Sequence, residues 1–164
     1  MFKNSCPIFS LMKVCIGGTF NHLHRGHKQL IDTALKTAGK NGYLFIGITT
    51  GNLAEKKGDI ASFEQRKKEI ETFLHKQKTT QTIDIQPIHD KYGPTIKEDF
   101  DAIAVSSETR PTADEINQIR INNKKKPLQI IEIPFVLADD GQPISSTRIR
   151  KQEINRDGRR ILKE

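Results

Sequence analysis

Tryptophan is absent from the sequence, and cysteine occurs only twice, as Cys6 and Cys15. Two cysteines are too few for a disulfide framework. Cys15 also falls within an apolar run, where a free thiol behaves as a small hydrophobe. No apolar stretch approaches the roughly 20 residues needed to cross a bilayer. The first eleven residues lack the apolar core and small-residue cleavage site of a signal peptide. A soluble, cytoplasmic protein without a membrane partner is therefore expected. Aromatic residues are only 6% of the chain. There is no ribonucleoprotein motif, zinc-ligand spacing or clear helix-turn-helix pattern, so a nucleic-acid-binding module finds little support beyond charge.

What the chain does have is 35% hydrophobic and 29% charged residues, with the apolar ones gathered into short blocks between helical patterns. That arrangement belongs to a folded α/β protein and not to a disordered one. The 164 residues are enough for one domain. Residues 1–11 read as an N-terminal extension, and about 153–164, rich in Arg and Lys, as a loosely ordered basic tail. The formal charge of +7 points to anionic partners.

Along the chain, Lys13 to Ile16 reads as a strand, followed by a glycine turn and a helix from about His27 to Ala38. Tyr43 to Thr49 reads as a second buried strand. Ser62 with Gln65 is a capping-box pattern opening a helix over 62–76. Ile83 to Ile88 and Ala102 to Val105 read as strands. Thr112 with Glu115 forms a second capping-box pattern, predicting a helix to about Asn122, and Leu128 to Ile133 supplies a fifth strand. Strands alternating with helices imply an α/β, Rossmann-like, open and mostly parallel five-stranded sheet with helices on both faces.

In such sheets ligands bind beyond the carboxyl ends of the strands. After the first strand stand Gly17, Gly18, Thr19, Phe20, Asn21, His22, Leu23, His24, Arg25, Gly26 and His27. Two glycines, a hydroxyl and a helix N-terminus make a phosphate site. The stretch is neither a P-loop nor a GxGxxG turn. GGTFNHLHRGH resembles instead the first signature of the nucleotidyltransferase superfamily, an HxGH motif at His24 to His27. The second signature, ISSTRIR, stands at Ile144 to Arg150. The DKYGPT segment at Asp90 to Thr95 and the stretch from Ala104 to Arg150 are similar to phosphopantetheine adenylyltransferases of the archaeal and eukaryotic type. The likeness covers about residues 12 to 155.

This resemblance implies AMP transfer from ATP to 4'-phosphopantetheine, with release of dephospho-coenzyme A and pyrophosphate and with Mg2+ assisting. Such chemistry needs positioning and charge stabilisation, and no protein nucleophile. His27, at a helix N-terminus, is expected to donate a hydrogen bond to the α-phosphate in the transition state. The resemblance implies that His24 supports the nucleotide beside it, while Thr19 and the Phe20 amide hold the incoming phosphate. It also implies a lysine bridging the two substrates; Lys56 and Lys57 are adjacent, and Lys56 is favoured. Ser145, Ser146 and Thr147 open a short helical stretch suited to the β- and γ-phosphates, with Arg148 adding charge. Asn117 and Arg120 are one helical turn apart and are expected to reach nucleotide together, with Glu108 and Thr109 approaching from the loop.

The bland alternatives are helix-cap serines, exposed lysines and a surface ion pair for Arg120. His22, His24 and His27 are spaced for a metal, but no carboxylate or cysteine lies nearby to complete it, so no protein metal site is expected. Other acceptors that use the same two motifs remain open: FMN, nicotinamide mononucleotide and glycerol phosphate. Oligomeric state is left open.

Overall fold

The computed structural model describes residues 11–55 and 59–162. Five strands, β1 (Lys13–Gly18), β2 (Tyr43–Thr49), β3 (Thr82–Ile88), β4 (Ala102–Val105) and β5 (Gln129–Glu132), form one sheet in the order β3-β2-β1-β4-β5. Every pairing is parallel. Between them run the helices α1 (Arg25–Ala38), α2 (Asn52–Glu55), α3 (Phe63–Lys76) and α4 (Arg110–Asn122), a 3-10 turn over Gly93–Ile96, and finally α5 (Ser146–Arg150).

Both faces of the sheet are covered, because side chains alternate across it. Val14, Ile16, Leu44, Ile46 and Ile48 face α1 and α3, meeting Ile31, Ala34, Ile70 and Leu74. Cys15, Phe45, Ile103 and Val105 point the other way, toward Ala113 and Ile116 of α4. Each fully buried Leu, Ile or Phe contributes on the order of 1.5–3 kcal/mol to this packing. Gly47 of β2 leaves room for the Ile88 side chain of β3: a Cβ on Gly47 would stand 2.9 Å from Ile88 Cγ2.

Two expectations change. First, α4 opens at Arg110 with Thr109 as N-cap and Pro111 in its first turn, so Thr112 and Glu115 form no capping box. Glu115 instead accepts from Lys91 Nζ at 2.6 Å and from the Tyr92 hydroxyl. Second, the basic tail is not loose as far as residue 162. Ile154 is fully buried with Ala138 and Ile144, and Ile154 bridges to Arg160 in antiparallel fashion. Arg156 forms a bidentate pair with Glu69 of α3, at 3.0 and 3.2 Å.

Strand order fixes where a ligand can enter. From β1 the chain moves to β2 on one side, while β4 and β5 lie on the other. A crevice therefore opens beyond the carboxyl ends of β1 and β4.

Candidate functional site

The loop leaving β1 is held in an unusual backbone conformation. Phe20 and His22 have φ of 52° and 49°, a left-handed region that is costly for non-glycine residues. The packing enforces it. Phe20 is completely buried, and its ring lies against Gly18 and tilts toward His27, with centroids 5.3 Å apart. Asn21, also buried, donates to the Asp59 carbonyl at 3.4 Å and accepts from the Ala61 amide at 3.1 Å.

His24 is the N-cap of α1. Its Nδ1 accepts from the amides of Gly26 at 3.1 Å and His27 at 3.4 Å, while the His24 amide donates back to His27 Nδ1 at 3.4 Å. The two rings stack at 3.7 Å. Because both Nδ1 atoms accept backbone protons, the neutral rings carry their proton on Nε2, so each is an N-H donor. Burial, helped by the positive charges of His22, Arg156 and Lys28, lowers the His24 pKa to about 4. Gly26 is part of the same device: a Cβ there would lie 3.0 Å from His24 Cε1 and 3.1 Å from its Nδ1.

The second motif reaches this loop from the far end of the chain. Ser145 Oγ caps α5 by accepting from the Arg148 amide at 3.3 Å, and Ser146 Oγ donates to the Asn21 carbonyl. Between the two motifs opens a cleft of about 570 Å³. It is lined by Thr19, Phe20, His24 and His27 on one side, by Ser145, Ser146, Thr147 and Arg150 on another, and by Ser106, Glu108 and Thr109 beyond β4. Gly17, Gly18 and Thr19 also wall a second, largely apolar cavity of about 220 Å³ on the other side of the loop, whose lining includes Leu53, Ile88, Tyr92 and Ile116. Thr19 thus stands where the two spaces meet, its hydroxyl 3.1 Å from that of Thr49.

The model of cytidylyltransferase-like proteins matches residues 15–152. A phosphopantetheine adenylyltransferase of Methanosarcina mazei is 44% identical over 148 residues, 90% of this chain and 96% of that protein. One from Methanopyrus kandleri is 40% identical over 147 residues, covering 88% and 92%. The chain belongs to the phosphopantetheine adenylyltransferase family. Among solved structures, a protein of unknown function from Archaeoglobus fulgidus superposes with a TM-score of 0.67 at 35% identity, over 74% of this chain and 89% of that one. A pantoate-beta-alanine ligase of Francisella tularensis, at 14% identity, shares the fold with a TM-score of 0.56 over 88% and 67%.

Of the residues singled out in this family member from its sequence, Thr19, Phe20, His24, His27, Glu108, Ser145, Ser146 and Thr147 all line the one cleft. Three do not. Asn117 is occupied with the start of β5, donating to the Leu128 carbonyl at 2.9 Å and accepting the Leu128 amide at 2.7 Å. Arg120, 1% exposed, donates to the carbonyls of Lys126, Thr95 and Glu98 at 2.8, 2.6 and 2.9 Å. Both serve the fold beneath α4. Arg148 is tied to Asp140 and Glu153, and Arg150 is the motif arginine that faces the cleft. Lys56 and Lys57 lie outside the described residues.

Residues that the sequence reading passed over complete the frame. Glu69 accepts the Leu23 amide at 3.1 Å as well as Arg156. Arg25 donates its amide to the Arg156 carbonyl at 3.2 Å, so the C-terminal segment is fastened to the start of α1. Arg66, 3% exposed, donates to the carbonyls of Thr19, Thr49 and Ala61 at 2.7, 2.9 and 2.9 Å. Its signal was present in the sequence: a lone arginine in the apolar stripe of Phe63, Ile70, Phe73 and Leu74.

Proposed function

We propose that this protein transfers AMP from ATP to 4'-phosphopantetheine, giving dephospho-coenzyme A and pyrophosphate, by direct in-line attack in the cytoplasm. The observation that carries the reading is the pair of spaces meeting at Thr19. One is a polar cleft with imidazole, hydroxyl and arginine groups, suited to a triphosphate. The other is a narrow apolar cavity, suited to the pantetheine arm of the acceptor. A phosphate at the end of that arm comes to rest beside Thr19, next to the α-phosphorus of a nucleotide in the cleft. The planar ring system of FMN and the small, polar glycerol phosphate match that cavity less well.

In this reading the Nε2-H of His27 stabilises charge on the α-phosphate oxygens as pyrophosphate leaves. His24 holds the His27 amide and ring in place. The Thr19 hydroxyl and Phe20 amide position the attacking phosphate. Ser145, Ser146, Thr147 and Arg150 face the β- and γ-phosphates, and Glu108 approaches the ribose and base from beyond β4. Lys56 is assigned to bridging the two substrates. No cluster of three or more His, Cys, Asp or Glu residues stands ready for a metal among the described residues. Mg2+ would come in on the triphosphate as part of the substrate, whose phosphate oxygens supply ligands to it, and Arg150 and the hydroxyls would face the phosphate charge that it leaves uncompensated.

The test is pyrophosphate release with ATP and Mg2+, comparing 4'-phosphopantetheine with FMN, nicotinamide mononucleotide and glycerol phosphate. Release that depends on 4'-phosphopantetheine supports the reading. Release with another acceptor alone overturns its substrate, and release with none overturns the reaction.

A further inference from the structure

A cation buried without a carboxylate is expensive, since backbone dipoles only partly replace lost hydration. Arg66 is such a cation. It forms no ion pair with any carboxylate among the described residues, and its guanidinium bonds are all to carbonyl oxygens. Two of these carbonyls, of Thr19 and Thr49, sit at the carboxyl ends of β1 and β2, and the third, of Ala61, lies just before α3. Thr19 lines both the polar cleft and the apolar cavity. At this end of a parallel sheet, free carbonyl oxygens would turn partial negative charge toward an incoming phosphate. Arg66 draws them inward and leaves its own charge largely unopposed beneath the loop.

We infer that Arg66 is a positioning residue for phosphate binding: by gathering the Thr19, Thr49 and Ala61 carbonyls, it orients the loop after β1 and supplies positive potential under the nucleotide's phosphates. This rests on the proposed nucleotide reading of the cleft. Arg120 provides an internal comparison. It is built the same way, buried and bonded to three backbone carbonyls, but none of its carbonyl partners, Lys126, Thr95 and Glu98, lines the polar cleft, whereas Thr19, a partner of Arg66, does. A purely architectural role for buried arginine predicts similar consequences at both positions. A role in phosphate binding predicts that only Arg66 discriminates by ligand charge.

The experiment is calorimetric titration of wild-type protein, Arg66→Met, Arg66→Gln, Arg66→Lys and Arg120→Met with ATP and with AMP, no acceptor being present. For Arg66→Met the expected result is roughly tenfold weaker ATP binding and about threefold or less for AMP, since the electrostatic loss scales with ligand charge. Arg66→Gln, which keeps an amide donor for the carbonyls and is the less disruptive neutral variant, should show the same fall in the ATP-to-AMP affinity ratio. Arg66→Lys should restore that ratio in part. Arg120→Met should lower thermal stability while leaving the ratio at its wild-type value. If the neutral Arg66 variants keep the wild-type ratio, or lose both ligands equally, the inference is overturned while the nucleotide reading stands. Wild-type protein that binds neither ligand overturns both.

Discussion

Lowering the pH from about 7 to about 4.5 asks His24 to take up a proton that its surroundings oppose. The ring is 6% exposed, and its Nδ1 is already accepting two backbone amides at the head of α1. Its pKa falls from the usual 6.5 to about 4, with burial the main cause. As the pH drops, the unfolded chain binds the proton near 6.5, while the native chain resists until about 4. The contribution to stability is therefore complete above 6.5 and is lost progressively as the pH falls toward 4. The shift corresponds to roughly 3 kcal/mol in all, of which about 2 kcal/mol should be gone by about pH 4.5. His24→Asn keeps a side-chain acceptor at the N-cap but cannot titrate. Urea unfolding of both proteins at the two pH values isolates His24, because the other titrating groups are common to both. Wild type should lose roughly 2 kcal/mol more than the variant on acidification. Parallel losses would refute the assignment of a buried, neutral His24.

His27→Ala should lower kcat by about 100-fold or more with little change in the KM for ATP, because its hydrogen bond strengthens only as charge develops on the α-phosphate; steady-state pyrophosphate release reads both constants. Asn117→Ala should cost about 1–3 kcal/mol in chemical unfolding, by stranding the Leu128 amide and carbonyl, and should leave both KM values as they are. A raised KM for ATP there would return Asn117 to the nucleotide site. Gly26→Ala places a methyl group 3.0 Å from His24 Cε1 and 3.1 Å from its Nδ1, so the ring must give by a few tenths of an ångström and its cap bonds are strained. The expected result is a loss of about 1 kcal/mol of stability together with weaker ATP binding.

Much of the fold was legible because its signals are local. The apolar blocks of β1, β2 and β4, and the Ser62 cap of α3 with Gln65, stand as expected. The polar cleft was legible through two motifs whose residues converge. What failed depended on direction or on distant partners. Helical spacing correctly put Asn117 and Arg120 on one face of α4, but spacing does not say whether a face looks toward a ligand or toward the 3-10 turn and the chain leading into β5. Arg148 and Arg150 differ by two residues, about 200° around a helix, so only one can face the cleft. The pairing of Glu115 with Lys91 and Tyr92, and of Glu69 with Arg156, joins residues 23 or more apart, which no local pattern announces.

The C-terminal segment is where local reading failed most, and it decides whether the site holds together. After β5 the chain crosses back over the carboxyl edge of the sheet. The Ile144 amide donates to the Val136 carbonyl, Ser146 reaches Asn21, and Arg156 engages both Arg25 and Glu69. Among the described residues, the apolar anchor of this return is a small cluster of Ala138, Ile144 and Ile154, flanked by Val136 and Ile149. It is separate from the two cores that sandwich the sheet. Ile154→Ala removes its one fully buried member, at a cost of about 2–5 kcal/mol. Because the cluster is separate, that loss should open the return segment before it unfolds the sheet. Hydrogen exchange should then show faster exchange at the Leu23 and Arg25 amides, whose acceptors are Glu69 and Arg156, with the β1 and β2 ladder unchanged. ATP affinity should fall in step, since the two halves of the cleft would no longer be held together. Uniformly faster exchange throughout the sheet would instead mean that the segment and the core form one cooperative unit, and that the cleft is no more easily opened than the protein as a whole.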